Sequence, residues 1–171
     1  VGETGHAAAC GGKLWDARHP KGLYDKAIIA VMADQGESLG AHGENTHGVF
    51  LYDETLHVPL LIKLPLDQWA GRRVETRAGL VDVAPTILTA AGLTPPVEMQ
   101  GHSLLDLVKT ANDAKGGNSL PDRPAYAETA YPHRAFGWSA LRALRAGKYL
   151  FIQPPEQERV NKSSDPSDIP N

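Results

Sequence analysis

The chain has 171 residues, of which 42% are apolar and 22% charged, and its formal net charge is −3. That composition suits one globular domain or a large part of one, and the slight acidity gives no support to a polyanionic partner such as nucleic acid. No apolar run approaches the roughly 20 residues that span a bilayer, so no membrane segment is expected.

The first residues, Val1-Gly2-Glu3-Thr4, carry no initiator Met and no basic or apolar targeting region, and read as the interior of a longer polypeptide. The compartment is therefore not legible. Residues 5–18 show a weak helical pattern with Ala8, Leu14 and Trp15 inward, weakened by Gly11-Gly12. The single cysteine, Cys10, has only alanines and glycines beside it, with no base or cation to activate the thiol, and reads as a small buried residue.

Residues 26–33 form a continuous apolar run of strand length. Continuous rather than alternating character predicts a central parallel strand covered by helices on both faces. A second run over 58–64 predicts another strand, with Pro59 near its start. Residues 80–92 predict an amphipathic helix, with Pro85 in the first turn, Val83, Ile87, Leu88 and Ala91 on one face, and Gly92 closing it. A short helix is expected over 103–108. Residues 111–124 read as a polar Gly/Pro-rich loop. Beyond it 125–128, 139–145 and 148–153 predict short strands, the last two a hairpin turning at Ala146-Gly147. From Pro154 the chain reads as a polar tail.

The expected fold is thus α/β: part of an α/β/α sandwich over residues 1–124, a small antiparallel β-sheet over 125–153, and a tail over 154–171.

Chemistry concentrates in residues 34–48, where fifteen positions hold three acids, two histidines, two amides and four glycines. The segment starts at the carboxyl end of the first predicted strand, where open α/β sheets bind ligands. Asp34 and the Gln35 amide offer the oxygens that hard divalent cations prefer. His42 and His47 can donate hydrogen bonds to an anion or move a proton. A solvated, turn-rich loop has the same composition, and no metal-ligand spacing such as His-Glu-x-x-His is present.

Several blocks in order resemble the sulfatase family of the alkaline phosphatase superfamily. Residues 22–43, with Asp34-Gln35-Gly36-Glu37 at a strand end, resemble the sulfatase strand that ends in Asp-His-Gly-Glu or Asp-Asn-Gly. His47-Gly48-Val49-Phe50-Leu51-Tyr52-Asp53-Glu54 and the strand after it resemble the family's continuation. Residues 80–93 resemble its next helix, and Gln100-Gly101-His102-Ser103-Leu104 its Gly-x-Ser-Leu block. Ala127-Glu128-Thr129 and residues 137–149 are similar to one branch of these enzymes.

The resemblance implies an alkaline-phosphatase-like fold and hydrolysis of a small-molecule or glycan sulfate ester. It implies a divalent ion, most often Ca2+, with Asp34 and Gln35 as metal ligands. It gives His47 the contact with the sulfate or its leaving group, and His42 and His102 substrate-binding places. Relatives are often exported.

Two departures stand out. Gln35 replaces the usual His or Asn, and its extra methylene displaces the amide by about 1.5 Å. The Cys/Ser-x-Pro-Ser-Arg motif, which supplies the formylglycine nucleophile, and an early Asp-Asp pair of metal ligands are both absent, so both are expected outside this chain and the chain alone is expected to be inactive. A phosphate or phosphonate ester hydrolase of the same superfamily, and a non-catalytic pseudoenzyme or binding module, remain alternatives.

Within the loop, Glu37 is expected to orient a ligand or to start a helix, and beyond it Tyr52, Asp53 and Glu54 are expected to fix the loop's return to the sheet. His57 reads as structural. Trp138, Tyr149 and Phe151 are expected to pack the hairpin onto the body. His133 and Arg134 are placed in a loop able to border a pocket, and Arg142 and Arg145 read as solvated strand charges.

Overall fold

The computed structural model describes residues 9, 11–13, 16, 22–110 and 123–153. Cys10, the inward positions of the first predicted helix, most of the 111–124 loop and the tail lie outside the described residues. The chain divides into two compact units: Val1–Asp34 with Pro59–Asp122, and Gln35–Val58 with Arg123–Asn171.

In the first unit a short helix α1 (Leu23–Lys26) leads into β1 (Ile29–Met32), which pairs with β2 (Leu60–Lys63). The pairing is antiparallel, Ile29 opposite Lys63 and Met32 opposite Leu60, which corrects the parallel expectation. The apolar run is also not covered on both faces: Val31 is 59% and Met32 49% exposed. Continuous hydrophobicity reports that both faces are apolar, and says nothing about the direction of the neighbouring strand. The ammonium of Lys63 anchors the pair to α1, donating to the carbonyls of Tyr24 and Ala27 and lying 4.3 Å from the centre of the Tyr24 ring.

The predicted long helix is present as a 3₁₀ turn (Leu80–Asp82) running into α3 (Val83–Ala90), α2 being the single turn Asp53–Leu56 of the other unit. Pro85 sits in the first turn, where its missing N–H leaves no bond unmade. At the far end Gly92, at φ 77°, takes the left-handed position. The N–H of Leu93 reaches the Leu88 carbonyl and that of Gly92 the Thr89 carbonyl, a paired cap that ends the helix. The inward stripe differs from the expected one. Val83 and Thr86 are buried, whereas Ile87 and Ala91 are exposed. Thr86 is accepted inside because its hydroxyl is used twice, donating to the Asp82 carbonyl (2.6 Å) and accepting from the Leu104 N–H (2.8 Å). The expected short helix is α4 (Leu105–Thr110).

The second unit carries an antiparallel sheet in the order β3 (Ala125–Thr129), β4 (Leu141–Ala146), β5 (Tyr149–Gln153). Gly147, at φ 53°, turns the β4–β5 hairpin at the expected place. One face carries the row Ala127–Ala143–Ile152, with Ala143 fully buried. The other carries Tyr126–Leu144–Phe151, all exposed. Tyr149 and Trp138 are exposed too, so the three aromatics expected to pack the hairpin down do not do so. Tyr149 and Phe151 fall on the outward register of β5, while Leu150 and Ile152 take the inward positions, and Trp138 precedes β4. Tyr126 donates to Glu128 (2.7 Å), and this bond, ahead of burial and the carboxylate's charge, holds the phenol's pKa above its ordinary value. Between β3 and β4, residues expected in an irregular loop form α5 (Tyr131–Phe136), opened by Pro132 and closed by Gly137 at φ 72°.

Candidate functional site

The 34–48 segment folds as a loop closed on itself by backbone bonds. Ser38 N–H donates to the Thr46 carbonyl (2.9 Å) and Gly40 N–H to that of Glu44 (2.8 Å), and the Ser38 hydroxyl bonds the Ala41 carbonyl (2.9 Å). Glu44 is buried, and its carboxylate accepts the N–H groups of Val49 (2.7 Å) and Phe50 (3.1 Å). Those bonds satisfy donors that would otherwise be stranded, so Glu44 shapes the loop rather than facing a ligand.

Gly36 sits where only glycine fits. Its N–H donates to the Thr55 carbonyl (2.9 Å), and a β-carbon at Gly36 would collide with the carbonyl oxygen of Glu54. Gly36→Ala must push α2 away from the loop, at an expected cost of about 1–3 kcal/mol. Hydrogen exchange checks it: the amides of Gly36 and Thr55 should lose protection together.

Across this frame the ring of His47 meets Glu37, with Nδ1 3.2 Å from Oε2 and 3.4 Å from Oε1. A carboxylate only accepts, so Nδ1 carries the proton and Nε2 is the ring atom left for exchange with a ligand. Both side chains are about four-tenths exposed, so the dyad is open to solvent. Glu37 is thus the orienting partner of a histidine ten positions away. His42 is held differently. Its backbone is left-handed (φ 53°), its ring stacks on Tyr52 at 3.9 Å, and its Nε2 lies 3.6 Å from Glu54. Tyr52 and Glu54 thereby secure the loop's return, as expected, and leave His42 partly exposed.

Asp34 and Gln35 are exposed, Asp34 two residues past the end of β1. As oxygen donors both suit a hard cation. Among the described residues, however, no group of three or more His, Cys, Asp or Glu is placed to hold a metal ion. Two side chains supply only part of the six to eight oxygens that calcium takes.

In the other unit the imidazole of His102 belongs to an exposed residue whose backbone is clamped. Its N–H donates to Asp82 Oδ1 (2.8 Å), while Oδ2 accepts the Gly79 N–H (2.9 Å). Gly101 lies so close to Val81 that a β-carbon would strike the carbonyl oxygen. Asp82, 1% exposed, was not singled out by sequence; its one signal is an acid at the third position of a helical start after glycine. Arg145 is likewise not a solvated charge: its guanidinium bonds both oxygens of Asp53 at 2.7 and 2.8 Å, fastening β4 to α2. His133 directs Nδ1 at the Trp138 carbonyl (3.0 Å) from α5.

Two cavities stand out. The larger, about 660 Å³, lies in the first unit between Leu64, Leu66, Trp69 and Thr89, with no titratable group in its lining. The smaller, about 230 Å³, lies in the second unit between residues 49–50 and α5.

Residues 40–153 match the family model described as N-sulphoglucosamine sulphohydrolase, C-terminal. Arylsulfatase K of Mus musculus is 28% identical over 165 residues, 94% of this chain and 29% of that protein. N-acetylglucosamine-6-O-sulfatase of Bacteroides thetaiotaomicron is 38% identical over 93 residues, 54% of this chain and 16% of that protein. The chain thus spans less than a third of these relatives' lengths. Among solved structures, BT4656 in complex with its substrate D-glucosamine-2-N,6-O-disulfate superposes with a TM-score of 0.66 and 29% identity, over 82% of this chain and 28% of that one. The phosphonate monoester hydrolase of Agrobacterium radiobacter gives 0.63 and 25%, over 83% of this chain and 29% of that one. The α/β, alkaline-phosphatase-like fold class expected from sequence is thereby met. With most of its described residues inside the family match, the chain belongs to the C-terminal N-sulphoglucosamine sulphohydrolase family, among the sulfatases of the alkaline phosphatase superfamily.

Proposed function

We propose that this chain is the C-terminal share of a longer hydrolase that cleaves a sulfate ester borne on an amino sugar. The observation that carries the reading is the Glu37–His47 dyad, standing open to solvent on the loop after β1, with His47 inside the stretch that matches the family. The sugar class is supported by the N-acetylglucosamine-6-O-sulfatase relative and the glucosamine disulfate bound by BT4656.

In this mechanism Glu37 fixes the ring of His47 through Nδ1–H, and the ring acts as the doubly protonated imidazolium, whose Nε2–H gives its proton to the leaving oxygen or hydrogen-bonds the sulfate. His102 keeps, on the family resemblance alone, a proposed substrate-binding role. His42 takes a lesser substrate-binding place, because its ring is already engaged by Tyr52 and Glu54. Asp34 and Gln35 are the two metal ligands of this chain, the rest of the shell and the formylglycine nucleophile coming from elsewhere in the longer protein. A bound divalent cation, Ca2+ in this reading, would polarise the sulfate oxygens.

Gln35 is the weak point of that ligand pair. An amide displaced by about 1.5 Å is expected to cost on the order of 10²-fold in rate. Gln35→Asn or Gln35→His in the full-length protein should therefore raise calcium affinity or turnover by about 10-fold or more. Calorimetric titration with calcium and initial rates check this, and no gain in either quantity from either substitution removes Gln35 from the ligand set.

The likeness to a phosphonate monoester hydrolase favours a second reading, hydrolysis of phosphonate or phosphate esters. The full-length protein is expected to release sulfate from glucosamine 6-sulfate faster than it cleaves a phenyl phosphonate monoester, and the reverse order establishes the second reading. The isolated 171-residue chain should release no sulfate. Turnover by that chain, abolished by Asp34→Ala, would show that its site is self-contained. A full-length protein that turns over neither ester would be the non-catalytic module that Gln35 also suggests.

A further inference from the structure

Residues 131–138 carry three large aromatic side chains that the fold leaves half uncovered: Tyr131 and Phe136 are each 51% exposed and Trp138 56%. They are arranged as a continuous run. Tyr131 meets Phe136 edge-on at 5.9 Å, and Phe136 leans on Trp138 at 4.9 Å with 37° between the planes. Exposed aromatics in contact form a patch rather than scattered surface residues, and such patches mark binding surfaces.

The patch borders the smaller cavity, lined by Val49, Phe50, Pro132, Trp138, Ser139 and Leu141. At about 230 Å³ it falls below the roughly 300–1,000 Å³ of sites that enclose a drug-sized ligand, and suits a single ring. The helix that contributes Pro132 to its lining also carries two exposed polar residues, His133 and Arg134. His133 gives its Nδ1 proton to the Trp138 carbonyl, leaving Nε2 to accept from a hydroxyl. Arg134 is exposed and can meet an anionic group.

The patch is also continuous with the loop that carries His47. Gly48, the next residue, lies against the Tyr131 ring, 3.7 Å separating Cγ from the place a β-carbon would take. The Thr129 hydroxyl bonds the Gly48 carbonyl at 2.6 Å, and Val49 and Phe50 form one wall of the cavity. Loop and aromatic run therefore belong to one surface of the second unit.

We infer that Tyr131, Phe136 and Trp138, with His133 and Arg134 at their edge, form a carbohydrate subsite that stacks a pyranose ring. In that subsite the apolar C–H face of a sugar lies on the Phe136 and Trp138 rings, with Tyr131 standing edge-on beside them, while its hydroxyl and anionic groups meet His133 and Arg134. Its assignment to the substrate rests on the sulfate ester reading above. The stacking surface itself does not, and the test separates the two.

Glucosamine 6-sulfate is titrated into the full-length protein by calorimetry, for wild type and for Phe136→Ala, Trp138→Ala and the milder Trp138→Leu. The dissociation constant should rise about tenfold in the alanine variants and less in Trp138→Leu, with thermal unfolding confirming that each is folded. Among turnover readouts, the ratio of KM for glucosamine 6-sulfate to KM for nitrophenyl sulfate should rise by a similar factor. No binding by wild type, or equal dissociation constants in all folded variants, overturns the subsite. Sugar binding that depends on Trp138 in a protein with no sulfate ester turnover keeps the subsite and removes the sulfatase reading.

Discussion

Asp82→Ala is expected to destabilise the unit that contains it by about 3 kcal/mol, lowering its unfolding midpoint by on the order of 10 °C. The carboxylate is 1% exposed and receives two backbone N–H groups, from Gly79 and from His102, across 23 residues of chain. Removing it strands both donors, and each bond to a charged group is worth roughly 1.5–3 kcal/mol. No rearrangement of the 101–104 segment can recover them, because Gly101 is already packed against the Val81 carbonyl. Asp82→Asn keeps the shape but turns an amide NH2 toward one of the two N–H groups. It is expected to lose most of the same stability. Denaturant unfolding with hydrogen exchange checks both variants. Continued protection of the Gly79 and His102 amides in Asp82→Ala would show that the carboxylate is not the clamp.

This clamp shows where sequence reading stops. The helix over 83–90 and its closure at Gly92 were legible because Pro85 and Gly92 act within a few residues of where they stand. The hairpin at Gly147 was legible for the same reason. The inward stripe was misjudged at Thr86, since a hydroxyl ranks as polar until its partners are known, and those partners lie at residues 82 and 104. Asp82 escaped notice for the same cause: its second partner is twenty residues away. The first strand announced its own extent and hydrophobicity but not its antiparallel neighbour, because pairing direction is decided by the connection and not by the strand. Helix α5 was hidden by Pro132, which reads as a breaker in the middle of a helix and as a starter in its first turn.

In the site, composition located the loop because Gly, acids and histidines accumulate there, yet composition could not pair them. Residues 37 and 47 meet because Ser38 bonds Thr46 and Gly40 bonds Glu44, a backbone arrangement that folds the segment on itself. His42 stands between them in sequence but turns instead to Tyr52. Aromatic residues assigned to a core by their alternation proved exposed, since a period of two fixes that alternate residues share a face and leaves open which face is covered.

His47→Ala in the full-length protein is expected to lower kcat on glucosamine 6-sulfate by about 10²–10⁴-fold, the range for a lost general acid or base. The size of the loss should depend on the leaving group. A sugar alkoxide is a poor leaving group and needs its proton as the S–O bond to it breaks, whereas nitrophenolate departs without one. Turnover of nitrophenyl sulfate should therefore fall much less than turnover of the sugar sulfate. Glu37→Gln is expected to act in the same direction with a smaller effect, about 10-fold, because it removes the acceptor that fixes Nδ1 while leaving the ring in place. Equal losses on the two substrates would assign His47 to holding the sulfate instead, since an anion contact serves both esters alike. A loss at His47 with none at Glu37 would mean that the loop's backbone bonds alone hold the ring, and that the exposed carboxylate contributes no orientation that the reaction uses.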